Sequence, residues 1–87
     1  MSFLPPFTVF DVETTGLDPR RGHRIIEIAA VRIEGGVIQG ETAFQTYVNP
    51  ERLIPWEAAQ VNKINDTMVA NAPTIDQVLP QFLTFAK

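Results

Sequence analysis

The chain has 87 residues, 45% of them hydrophobic and 20% charged, with a formal net charge of −3 and no cysteine. That length allows one small domain at most, and the acidic balance argues against a module that grips nucleic-acid phosphates over its whole surface. The lack of cysteine excludes a disulfide framework and thiolate chemistry and fits a cytosolic (cytoplasmic) setting, and no apolar run approaches the ~18 residues of a membrane span.

The start, Met1-Ser2-Phe3-Leu4-Pro5-Pro6, has neither a basic region nor a long apolar stretch, so it reads as a short lead and not as a signal peptide. Residues 7–13 read as a strand. Side chains of a strand alternate, which puts Asp11 and Glu13 on one face, about 6.5 Å apart along the chain. Phe7 and Val9 share that face, while Thr8, Phe10 and Val12 take the other. A strand apolar on both sides suits a buried central position. Two ionised carboxylates at its end are costly without compensation, and a divalent cation is the natural compensator. Thr14-Thr15-Gly16 then supplies a turn whose backbone approaches a ligand closely. A lone Asp-x-Glu is common and usually marks a solvated strand end. The full run Asp11-Val12-Glu13-Thr14-Thr15-Gly16 is expected by chance in well under about one in a thousand chains of this size.

Residues 17–22 form a polar loop, and residues 24–34 read as a long strand. Gly35-Gly36 is a two-residue hairpin signal, and residues 37–48 form the return strand with a bulge at Gly40. Unbroken pairing would set Val31 opposite Gly40 and Ile28 opposite Ala43. Beyond Asn49-Pro50, a short helix is expected over residues 55–62 with Pro55 as its first residue. Asn65 caps a further turn reaching residue 69 or 70. The last segment is the clearest helix: Thr74-Ile75-Asp76-Gln77 is a capping box, and Ile75, Val78, Leu79, Phe82, Leu83 and Ala86 form one apolar stripe. Pro80 interrupts it at a cost of about 3 kcal/mol and should kink the helix or delay its start.

Several residues have both a plain and a functional reading. His23, the only histidine, is read as a loop residue, not a general base. Glu27 is read as a hydrogen-bonded structural group more than a metal ligand, and Trp56 as packing more than a base-stacking platform. Arg20, Arg21 and Arg24 suit phosphate contact and a solvated loop equally.

The segment Phe10-Asp11-Val12-Glu13-Thr14-Thr15-Gly16-Leu17, followed by Ile25-Ile26-Glu27-Ile28-Ala29-Ala30-Val31 and a Gly-Gly hairpin, resembles the start of the DnaQ-like 3′→5′ exonucleases. These belong to the DEDD superfamily, which includes the proofreading subunit or domain of bacterial DNA polymerase III. The likeness continues through Tyr47-Val48-Asn49-Pro50, Ile54-Pro55 and Ala72-Pro73-Thr74. It implies an α/β, RNase H-like fold that opens with a three-stranded antiparallel sheet followed by helices. It also implies two Mg²⁺ or Mn²⁺ ions held by four acidic residues, with Asp11 and Glu13 matching the first two. The backbone around Thr14, Thr15 and Gly16 would receive the 3′-OH of a single-stranded DNA or RNA end. Leu17 would wedge against the terminal bases, and a DNA polymerase is the partner that such relatives imply.

The chain departs from the family's pattern in two places. Asn62-Lys63-Ile64-Asn65 stands where relatives often read His-Gly-Ile-Thr. The remaining acidic motifs would fall beyond Lys87, so residues 1–87 are expected to be the incomplete N-terminal part of the domain, inactive alone. A first strand without its outer neighbour is also expected to self-associate, through that edge or the terminal helix stripe. Two other readings stay open: a non-catalytic metal- or nucleic-acid-binding fragment, and a haloacid-dehalogenase-type phosphatase. Against the latter stand Glu13 as the second acid and a hairpin in place of a crossover helix.

Overall fold

The computed structural model describes residues 5–86, so most of the expected lead and Lys87 lie outside the described residues. Three strands, β1 (Phe7–Thr14), β2 (Ile25–Glu34) and β3 (Val37–Tyr47), form one antiparallel sheet in the order β1-β2-β3. Two short helices, α1 (Trp56–Asn62) and α2 (Asp66–Val69), and the longer α3 (Ile75–Ala86) complete the described fold. The three-stranded sheet followed by helices is therefore present. Among the described residues β1 is an edge strand, not the central strand its apolar faces suggested. Phe7, Val9 and Phe10 accordingly remain 44%, 47% and 57% exposed.

β2 turns into β3 through Gly35 and Gly36, whose φ values of 58° and 78° lie where glycine meets no steric penalty. The unbroken register holds near the turn, with Glu34 facing Val37 and Arg32 facing Gln39. It then slips: Ala30 faces Phe44 and Ile28 faces Thr46, not Ala43. Residues 40–43 form a larger irregularity than a one-residue bulge at Gly40. The slip is an odd number of residues, so it moves Phe44 onto the opposite face from the one simple pairing assigns. There Phe44 joins Phe10 and Ala30 under α3, with the Phe82 ring edge-on to Phe10 at 5.3 Å and to Phe44 at 5.9 Å.

A second irregularity lies between β1 and β2. Glu13 faces Glu27 but Thr14 faces Ile25, so Ile26 is the extra residue. Such a bulge re-aims the side chains around it. Ile28 packs with Val48 and Val78 on the α3 side, whereas Ile26 packs with Ile54, Ile64 and Val69 beside α1 and α2. Two isoleucines two apart thus feed two different core clusters on opposite sides of the sheet.

Pro55 is the residue before α1, with ψ 143°, rather than the first residue of the helix. Asn65 caps α2 as expected, its side chain accepting from the Met68 N–H at 3.0 Å. In α3 the Thr74 N–H donates to Gln77 Oε1 at 3.0 Å, the reach-back half of a capping box. The apolar stripe of α3 is only partly used: Val78 is fully buried, but Leu79 and Leu83 are 47% and 58% exposed. Pro80 does not delay the helix, because the amides of Gln77 and Val78 already bond the Thr74 carbonyl ahead of it. Pro80→Ala restores an N–H where the turn lacks one. It is expected to raise unfolding free energy by about 1–3 kcal/mol, and an unchanged or lower urea midpoint would contradict this.

Candidate metal centre at the end of the first strand

Phe10 and Val12 pack on the α3 side, so strand alternation places Asp11 and Glu13 on the opposite face. Asp11 is exposed and Glu13 half-buried. α1 and α2 pack on that same side through Tyr47, the cross-strand partner of Glu27. The two carboxylates therefore sit on an open sheet face whose end is walled by two short helices.

Backbone alternation shows which groups of β1 face outward. The Val48 N–H bonds the Ile26 carbonyl at 2.8 Å, so the even-numbered residues of β2 turn their backbone groups toward β3. By the same alternation, Val12 on β1 turns its amide away from β2, toward the open edge. That amide is not left bare: it donates to Asp11 Oδ1 at 2.9 Å. Asp11 thus leans over the free edge of β1, capping it with its own carboxylate.

Glu13 faces Glu27 directly across the ladder, and like charges so placed are destabilising by roughly 0.2–1 kcal/mol. Glu27 Oε2 accepts from Gln45 Nε2 at 2.7 Å, the hydrogen-bonded structural role read from the sequence. Among the described residues no group of three or more His, Cys, Asp or Glu side chains is gathered around a common point. Asp11 and Glu13 are oxygen donors of the kind that hard divalent cations take, and Glu13 faces a negative neighbour that a cation would offset. The donor chemistry fits a divalent ion, with further ligands to be supplied by water, substrate or other carboxylates.

The turn after Glu13 is tightly tied. The Thr15 N–H donates to the Arg24 carbonyl at 2.8 Å, and the Arg24 N–H returns a bond to Thr15 Oγ1 at 2.8 Å. Thr15 is only 3% exposed, so its amide and hydroxyl are committed within the fold. Thr14 Oγ1 donates to the Gly16 carbonyl at 2.7 Å, and the Thr14 carbonyl accepts from Asn62 Nδ2 at 2.9 Å. At Gly16 a Cβ would lie 2.5 Å from the His23 ring, so no larger residue fits without movement. His23 Nδ1 accepts from the Asp18 N–H at 2.8 Å, which makes it a loop residue. Leu17, at the tip of this turn, is 99% exposed.

Other candidates fall outside the centre. Arg20 pairs with Asp18 at 3.2 Å, and Arg24 Nη1 donates to the His23 carbonyl at 2.9 Å. A cavity lined by His23, Arg24, Val48, Arg52 and Ile75 contains neither carboxylate. Trp56 is 72% exposed, so the packing role expected of it is not seen. Sequence reasoning marked Asn62 only as a departure from the family's pattern and missed its bond to the turn. The available signal was its position on the α1 face shared with Ala58 and Ala59, where a polar group needs a partner.

Comparison with known proteins adds an independent line. The exonuclease family model, RNase T type, matches residues 8–87. DNA polymerase III subunit epsilon of Rickettsia conorii is 42% identical over 77 residues, covering 88% of this chain and 33% of that protein. The same-named subunit of Aquifex aeolicus is 42% identical over 79 residues, covering 91% and 38%. The chain thus spans about a third of the length of these curated relatives. Among solved structures, the nuclease domain of 3′hExo, a DEDDh member bound to rAMP, superposes with a TM-score of 0.80 at 28% identity, over 97% of this chain and 44% of that one. Exonuclease X in complex with 5′-overhanging duplex DNA gives 0.74 at 33% identity, over 86% and 42%. These neighbours are RNase H-like exonuclease domains, which agrees with the fold class read from the sequence.

The facing carboxylates yield a direct expectation. In metal-free buffer, Glu13→Gln relieves the repulsion across the ladder and raises unfolding free energy by about 0.2–1 kcal/mol. Loss of stability in a urea titration with chelator present would show that Glu13 is already compensated.

Proposed function

Because the chain belongs to the exonuclease family, we infer that it forms the metal-binding, 3′-end-receiving part of a 3′→5′ exonuclease of the DnaQ-like type. The observation that carries this reading is the placement of Asp11 and Glu13 on one open face of β1, with the tied Thr14-Thr15-Gly16-Leu17 turn immediately beside them. Bound there, divalent cations supply the charge neutralisation and oxygen clamping that phosphodiester hydrolysis requires. Asp11 and Glu13 hold that charge in place. Leu17, fully exposed at the turn, meets the terminal base of a single strand by apolar contact. With the Thr15 amide committed to Arg24, the 3′-OH is received by the other groups of the turn. The product is a nucleoside monophosphate from a DNA or RNA 3′ end. The relatives named as polymerase III subunits support a polymerase partner and a cytoplasmic location; among the described residues no helix is long and apolar enough to cross a membrane.

Binding of product tests this reading in the chain itself. With Mg²⁺ present, a nucleoside 5′-monophosphate is expected to shift the amide resonances of Thr14 to Leu17, and Asp11→Ala is expected to abolish the shifts. Metal-independent shifts, or shifts centred elsewhere, would refute it.

A second reading concerns this 87-residue chain alone, in which no third acid joins Asp11 and Glu13 among the described residues. It binds metal and a strand end without turning the substrate over. Incubated with 3′-labelled single-stranded DNA and Mn²⁺, it should release no mononucleotide in an Asp11-dependent way. Such release would instead mean that another chain completes the centre. The open β1 edge and the exposed Leu79 and Leu83 favour self-association of this chain. Sedimentation should show mass rising with concentration, and a monomer at high concentration would count against it.

A further inference from the structure

The sequence departs from its family's usual pattern at Asn62, yet that residue makes a bond to the candidate centre. The Thr15 N–H is spent on the Arg24 carbonyl just ahead of β2, so alternation turns the Thr14 carbonyl outward, to the open edge of β1. There it accepts from Asn62 Nδ2 at 2.9 Å, across 48 residues of sequence. A carbonyl offers only an acceptor, so the Asn62 amide must present its NH₂ group. The donor itself is held firmly. Asn62 is the last residue of α1, and the next residue, Lys63, adopts a left-handed conformation at φ 60° with its N–H on the Ala59 carbonyl at 2.9 Å. α1 is in turn anchored on the carboxylate side of the sheet, with Ala58 and Ala59 against the Ile26, Ile54, Ile64 and Val69 cluster. The bond lands one residue after Glu13, at the step where the β1–β2 register shifts. A shifted ladder has fewer regular bonds to hold it, and an outside tie at that step acts beside the Thr15–Arg24 pair, from the opposite edge of β1, on how Glu13 and the following turn are aimed.

We propose that Asn62 is a positioning residue: through the Thr14 carbonyl it fixes the Glu13–Gly16 backbone, and with it the aim of the Glu13 carboxylate at the metal. This rests on the metal-centre reading above and deepens it. In this chain the residue at the end of α1 serves the centre from behind, through the backbone.

Mn²⁺ alone is the probe, read by paramagnetic broadening of the Val12, Glu13 and Thr14 amides in the 87-residue chain. Asn62→Ala and Asn62→Leu remove the donor without adding a ligand, and each is expected to weaken Mn²⁺ at these amides at least threefold. Asn62→Gln keeps the amide donor and should recover part of the loss. Asn65→Ala removes a helix cap away from the centre and serves as the stability control, with Mn²⁺ affinity unchanged. Affinity in Asn62→Ala and Asn62→Leu equal to that of the unsubstituted chain, while Asp11→Ala abolishes broadening, would overturn the positioning role and leave the metal centre standing. No broadening at these amides in the unsubstituted chain would overturn the metal centre, and the positioning role with it.

Discussion

The constraint on which the rest depends is the register shift between Glu13 and Thr14, opposite Ile26. In an unbroken ladder, Ile26 and Ile28 would share a face and feed a single core cluster. The extra residue turns Ile26 toward α1 and α2 while Ile28 stays under α3. The chain can then cover both faces at one end of a small sheet, and Ile26 is fully buried. The same shift ends the regular ladder at Glu13. Glu13, the last residue before the shift, is half-buried opposite Glu27 with its backbone still supported, a place where a metal ligand is useful.

The residues around that point divide the work. Thr15 and Arg24 exchange two hydrogen bonds and lock the turn to β2. Gly16 admits the His23 ring, and His23 holds the loop through the Asp18 amide. These contacts consume the polar groups of Thr15 and leave Leu17 exposed. Asp11 and Glu13 remain on the open face, Asp11 exposed to water with one oxygen on the Val12 amide and Glu13 half-buried beside Glu27. The hydrogen bonds are thus concentrated in the turn, and the negative charge in the strand just before it.

Much of this was legible in the sequence for identifiable reasons. The hairpin was set by Gly35-Gly36, the α2 cap by Asn65 and the common face of Asp11 and Glu13 by alternation. What escaped was long-range. The slip of residues 40–43 depends on Phe44 finding Phe82 and Phe85, partners that no local pattern names. The split of Ile26 from Ile28 depends on a bulge with no glycine to announce it. Pro80 was expected to kink α3 or delay its start because its cost is local, whereas burial of Val78 and contacts of Phe82 hold the helix on both sides of it. Asn62 stood out only as a departure from the family's pattern, and its bond to Thr14 exists only because α1 packs back onto the sheet.

The central claim is that the end of β1 is a divalent-cation site built on Asp11 and Glu13. Crystals of the chain soaked in Mn²⁺ and measured for anomalous scattering test it most directly. A peak is expected within about 2.0–2.6 Å of carboxylate oxygens of Asp11 and Glu13, absent from Asp11→Ala crystals. A peak at other acids with none at these two, or one that survives Asp11→Ala unchanged, would contradict it.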